Sequence, residues 1–331
     1  MKPLIKKLTE TFSPSGHENA IREVILEEIK TLVDDVRVDA LGNLIARKGE
    51  SGQGKRIILS AHMDEIGLIV NHVDENGFVY FSHVGTPFAR YLSGGRVRFL
   101  NGVQGIIDSQ PPKKGLHDIA PPDKMFIDVG ATSPEDCPVK VGDVAAFDRS
   151  YMEMGNRLVA KSLDDRIGVA VLIETLRRLK DCPGEVYFVF TAQEEVGTRG
   201  AITSTYGIDP EIGLSIDVTP SGDTPKEWRS NAELGKGPAI IVKDGGLISE
   251  PRIVDWLETT AKKAGIPFQR TVQLVGGSDA RSMQVSRAGV LAGTLCIPCR
   301  YAHSPSEMVD FDDVENAVKL VVALLSKPIE I

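Results

Sequence analysis

Cysteine is scarce: four residues in a chain of 331 do not make a disulfide scaffold. No stretch is long and apolar enough to span a bilayer. The N-terminal MKPLIKKLTETF carries lysines but lacks the apolar core of a signal peptide. The sequence therefore predicts no membrane partner and a cytoplasmic location. Basic runs and RNA-type aromatic motifs are also missing. With a net charge of −8, that argues against nucleic acid as a partner.

What is present describes an ordinary globular protein, 42% hydrophobic and 25% charged. Its length exceeds what a single core usually serves, so one large and one smaller domain are expected. Helical spacing covers Lys2–Thr11 and Glu18–Leu32, and a hairpin is expected across Leu41-Gly42. Strands are predicted at Lys55–Leu59, Glu185–Phe190, Gly213–Val218, Gln269–Val275 and Gly293–Ile297. Helices are predicted at Leu163–Lys180 and Ser249–Ala264, in a short segment from Asp279, and in a last one ending at Leu325. Asp312 followed by Glu315 reads as a capping box opening that last helix. Strand–helix alternation argues for an α/β fold, an open mixed sheet with helices on both faces. Residues 68–155 break the alternation with short strands and turn signals, the pattern of a small inserted β-barrel. The expected division is 1–67 with 156–331 for the catalytic domain and 68–155 for the insert. Within the insert, Gln110–Asp123 reads as a projecting loop. The insert shows no obvious chemistry and is a candidate for subunit contacts.

The chemistry gathers around Thr191–Gly200, TAQEEVGTRG, which follows the apolar run EVYFVF. Adjacent Glu194 and Glu195 at a strand end repel each other unless something cationic compensates. Gly197 and Gly200 then loosen the chain. Four other strand ends or helix starts supply His or Asp in the same way: His62 and Asp64, Asp164 and Asp165, Asp217, and His303. They are tens of residues apart, so no local metal finger exists, but in open α/β sheets ligands bind at the carboxyl ends of strands. Two histidines and three carboxylates suit a first-row divalent ion such as zinc or cobalt. Asp64, two residues after His62, has the right type to hold the second ring nitrogen of a ligating histidine.

AHMDEIG, KSLDDRIG, TAQEEVGTRG, the Asp217 strand, GGSDARSMQ and RYAHSPSEMV resemble, in this order, the two-metal aminopeptidases of metallopeptidase family forty-two. These are the tetrahedral aminopeptidases, some of them labelled glutamyl or deblocking aminopeptidases or endoglucanases. The resemblance spans essentially the whole chain; Ser278 stands where the family more often has threonine. It implies that His62 and Asp217 bind one ion, that Glu195 and His303 bind the other, and that Asp164 bridges them. Glu194 would be the general base and Asp64 would orient His62. It further implies two divalent ions (Zn or Co), peptide substrates with a free N-terminus, and dimers built through the insert that assemble into a dodecamer. Gly276 and Gly277 would let the substrate backbone approach. A two-metal carboxypeptidase or an N-acyl amino acid deacylase is the alternative, and a glycosidase would need no metal. Cys296 and Cys299 form a CxxC that reads as two buried strand-end thiols, with a redox effect on His303 as the other possibility.

Overall fold

The computed structural model describes residues 1–331 apart from 53, 112–114, 116–118, 181, 228–229 and 330. Much of the expected projecting loop Gln110–Asp123 therefore lies outside the described residues. The chain opens with α1 (Lys2–Glu10) and α2 (Asn19–Ile29), then β1 (Asp35–Val38), β2 (Leu44–Lys48) and β3 (Arg56–His62). Six strands follow: β4 (Gly67–Val73), β5 (Val79–Val84), β6 (Arg96–Phe99), β7 (Gln104–Ser109), β8 (Met125–Asp128) and β9 (Val144–Phe147). They close into a barrel in the order β4-β5-β8-β7-β6-β9. Alternate residues such as Leu68 and Val70, or Val97 and Phe99, fill its separate core.

The chain then supplies β10 (Met152–Met154), β11 (Arg157–Ala160), α3 (Leu163–Arg178), β12 (Glu185–Thr191), α4 (Arg199–Ile208) and β13 (Ile212–Pro220). It ends with β14 (Ala239–Lys243), α5 (Pro251–Ala264), β15 (Gln269–Val272), α6 (Ala280–Gln284), β16 (Leu291–Arg300), β17 (Glu307–Asp310) and α7 (Phe311–Leu325). The eleven-stranded mixed sheet runs β1-β2-β12-β3-β13-β16-β17-β11-β10, with β14 joined to β16 and β15 to β14. At its centre β12, β3, β13 and β16 are mutually parallel. Their continuous apolar runs (IILSA, VYFVF, LSI, TLCI) belong to strands buried on both faces. Helices α1, α2, α3, α5 and α7 cover one face through the main core, and Ile208 of α4 with Ala280 and Met283 of α6 covers the other.

The last helix starts differently from expectation. Asp310, not Asp312, is its cap, accepting the Asp312 N–H at 2.8 Å. Asp310 ends β17 with extended backbone, so the chain turns helical just after it, and Asp312 already sits in the first turn.

Candidate active site

Parallel strands bring their carboxyl ends to one edge of the sheet, and that edge carries the acids and histidines. His62 closes β3 beside Thr191 of β12, Asp217 lies late in β13, and His303 follows β16. Asp164 enters from the start of α3, where it and Asp165 have non-helical backbone angles. A cleft of about 970 Å³ is lined by His62, Asp164, Glu194, Glu195, Asp217 and His303. Gly276 and Gly277 also line it. Asp64 is fully buried behind the cleft.

Asp164 is the hub. Its Oδ1 lies 3.0 Å from His62 Nε2, and its Oδ2 lies 3.3 Å from His303 Nε2, which in turn is 3.5 Å from Glu195 Oε2. Asp64 Oδ1 lies 3.5 Å from the other ring nitrogen of His62, too far for a hydrogen bond by geometry. Asp165 is engaged differently: its two oxygens accept the N–H groups of His62, at 3.2 Å, and Gly168, at 2.9 Å. Burial opposes charge on both imidazoles, but Asp164 and Asp64 around His62, and Glu195 and Asp164 around His303, raise their pKa values well above the ordinary. Burial pushes the carboxyls of Glu194 and Asp217 well up, and neighbouring carboxylates add to it. The Glu195 carboxyl rises to about 7, from burial against the opposing effect of His303. The cluster is one of like charges held out of water.

The glutamates are not on an extended strand end. Strand β12 stops at Thr191, and Gln193 takes a left-handed conformation with φ of 57°. Asp64 accepts the N–H of Glu194 at 3.0 Å and that of Glu195 at 3.2 Å, so it braces both residues as well as facing His62. Nor does Gly200 loosen the chain. A Cβ there would lie 2.5 Å from the Ala192 carbonyl and would strike the Asn43 side chain, so glycine permits a tight closure.

Several supporting groups were not anticipated. Buried Glu307 accepts the His303 N–H at 2.8 Å and the Asp164 N–H at 2.9 Å, tying two site residues together. Burial, with Asp164 nearby, lifts its carboxyl to about 8. Glu65 sits between Lys161, 2.6 Å away, and Arg166, 3.6 Å away, all three buried beneath the site. The barrel contributes chemistry too. The Thr86 carbonyl, after β5, accepts from His303 Nδ1 at 2.9 Å, which leaves Nε2 free to act as a ligand. Next to it Gly85, φ 75°, lies so close that a Cβ would stand 2.8 Å from Ile66 and 3.0 Å from Glu195 Oε2. Glu307 had a positional signal, four residues after His303 in a quoted motif; a main-chain carbonyl has none.

Cys296 packs with Ala232, Ala239 and Ile241, whereas Cys299 belongs to the main core. Burial pushes both thiols well above their ordinary pKa, and this favours inert buried thiols over a redox pair.

The residues fit a divalent cation. Glu195 Oε1 is buried without a hydrogen-bond partner. Ligand atoms of His62, Asp164 and Glu195 lie within 4.8 Å of one another, as do those of His62, Asp165 and Asp217. Imidazole with carboxylate oxygen is the donor set of zinc-type sites, and a cation would relieve the repulsion among these acids.

Comparison with known proteins agrees. The sequence profile of the family described as M42 glutamyl aminopeptidase matches residues 42–320. A lysyl aminopeptidase of Pyrococcus furiosus is 35% identical over 341 residues, covering 98% of this chain and 96% of its own. The solved aminopeptidase of the archaeon Desulfurococcus kamchatkensis is 41% identical with a TM-score of 0.93, covering 98% of this chain and 94% of that one. The TET1 peptidase of Pyrococcus horikoshii, described as assembling into a tetrahedron or a large octahedral shell, is 34% identical with a TM-score of 0.87 over 98% of both chains. With a profile match across most of its length and relatives alike from end to end, this chain belongs to the M42 aminopeptidase family and is a hydrolase of peptide bonds.

Proposed function

We propose that the protein removes N-terminal residues from peptides by a two-metal mechanism. His62 and Asp217 would hold one divalent ion, zinc or cobalt, Glu195 and His303 the other, and Asp164 would bridge the two. The observation that carries this is the placement of Asp164, whose two oxygens face two different histidines. Asp165 is left out because both its oxygens already accept backbone N–H groups. Bound ions supply Lewis acidity that polarises the scissile carbonyl and makes water more acidic. The chain's own residues do the rest. The Glu194 carboxylate takes the proton of the attacking water and returns it to the leaving amine. Asp64 fixes Glu194 through its backbone N–H and orients His62 by its charge, facing Nδ1. The acidic end of the cleft receives the substrate's free ammonium group.

We further assign residues 1–67 and 156–331 to catalysis and residues 68–155 to dimerisation, with dimers assembling into a dodecamer in the cytoplasm. The TET1 relative's assembly into closed shells supports the assembly into a large oligomer.

Chelation should abolish cleavage of amino-acyl amides, zinc or cobalt should restore it, and N-acylated analogues should not be cut. Glu194→Gln should keep its metal content while kcat falls by about 10²–10⁴, the usual contribution of a positioned acid–base group. Glu195→Gln should instead bind one ion more weakly and recover part of its activity in excess metal. Metal analysis with kinetics on both variants decides it. If Glu194→Gln loses an ion while Glu195→Gln keeps both and loses only kcat, the roles are reversed.

A further inference from the structure

The loop that carries Glu194 and Glu195 is held in an unusual way. Four consecutive backbone N–H groups, from Ala192 to Glu195, all donate to side chains and none of them to the sheet. Ala192 N donates to Asn43 Oδ1 at 2.9 Å, Gln193 N to Glu18 Oε1 at 3.1 Å, and Glu194 N and Glu195 N to the two oxygens of Asp64. Each acceptor comes from a different part of the N-terminal region. Asn43 also spans the loop's far end, donating to the Gly200 carbonyl at 3.0 Å. Asp64 is itself steadied by the Ser15 hydroxyl at 2.6 Å.

Glu18 is the least expected member. It is 4% exposed, and among the described residues no cation lies within 4.0 Å of its carboxylate. An unpaired buried carboxylate is costly, and this one is retained where it grips two amides, Gly16 N at 2.7 Å and Gln193 N. Gln193 is the residue forced into the left-handed region, which a non-glycine residue leaves unless something holds it there. Release of its N–H frees the Ala192–Gln193 peptide and with it the φ of Gln193, the residue just before Glu194.

We propose that Glu18 is a positioning residue for the reaction, one that fixes the reach of Glu194 through the Gln193 amide, with Asn43 holding the neighbouring amide. This rests on Glu194 as the proton-transfer group. Misplacement by about an ångström can cost on the order of 100-fold in rate. Glu18→Ala should therefore lower kcat per metal-loaded site by about 10- to 100-fold with KM nearly unchanged. Glu18→Gln, which keeps an acceptor oxygen, should restore most of that loss. The test is a double-mutant cycle in which Glu18→Ala is made in the wild type and in Glu194→Gln, with metal content and melting temperature measured for all four proteins. A large kcat loss in the wild type that nearly disappears in Glu194→Gln supports the proposal. An equal loss in both backgrounds overturns it, as does a lowered melting temperature with unchanged kcat per loaded site. If Glu194→Gln alone keeps full kcat, the general-base assignment fails instead. Should Glu18→Ala not fold, Glu18→Asp, shorter by one methylene, carries the same cycle, with a smaller kcat loss expected in the wild type only.

Discussion

At the scale of single residues, the site is a crowd of carboxylates, each held by its own set of partners. Asp164 faces histidines, Asp165 faces amides, and Asp64 does both. Charge elsewhere in the cleft is settled locally. Arg300, on the cleft wall, grips Asp223 through two contacts of 2.9 and 2.7 Å. Partial burial works against the Asp223 charge, but Arg300 and Ser221 outweigh it and hold the carboxyl at about 2. Because this folded-state pKa lies below the unfolded value of about 3.9, the pair stabilises the fold above about pH 4, and that contribution is lost as pH falls towards about 2. Asp223→Asn should lower the melting temperature at pH 6 by a degree or two, as partly exposed pairs contribute about 0.2–1 kcal/mol. The gap from wild type should close by about pH 2. A gap unchanged between the two pH values would show that the pair is not what Asp223 contributes.

At the scale of elements, the 192–200 loop and α4 behave as one closure. Gly200, the second residue of α4, lies against the Ala192 carbonyl, and its own N–H donates to that carbonyl at 2.9 Å. Gly200→Ala forces a methyl group into backbone, and overpacking of this kind costs about 1–3 kcal/mol. Calorimetry should show a melting temperature lower by several degrees, and kcat should fall with it as the loop shifts. An unchanged melting temperature would mean that the closure is looser than it looks. The same region shows how far the sequence could be read. Strands β3, β12, β13 and β16 were legible because a parallel strand buried on both faces leaves an unbroken apolar run, and the acids and His62 sat near their ends. Helix α4 was not, since RGAITSTYGI has two glycines and several β-branched residues, and only its packing against β12 and α6 makes it helical. Strands β14 and β17 are short pieces that depend on partners far along the chain, β16 and β11 respectively. The proposed ligand residues were legible from their types in motifs. Gln193's left-handed backbone, Glu18, Asn43 and the Thr86 carbonyl carry no such signature, because they act on backbone groups or through them.

At the scale of the whole molecule, the barrel does two things. It reaches the site through Thr86 and Gly85, and it leaves Leu100, Ile106, Ile119 and Val141 exposed. In the proposed dimer these side chains would be covered by the partner subunit. Light scattering at micromolar concentration should give a mass several times that of one chain, and Ile106→Glu should shift it downward. A wild-type monomer would contradict the dimerisation role. The arrangement of the site along the chain has another consequence, concerning synthesis. Glu18, His62, the barrel, Asp164, the glutamate loop, Asp217 and His303 come from successive stretches and meet only at the sheet edge. Contacts this distant in sequence form late in folding, after the loops between them have closed. A chain still on the ribosome and shorter than 303 residues lacks His303, and with it the bond to Thr86 and the tether to Glu307. On the proposed role of His303, such a nascent chain would not cut peptides, and proteolytic capacity would arrive only when the last tenth of the sequence docks.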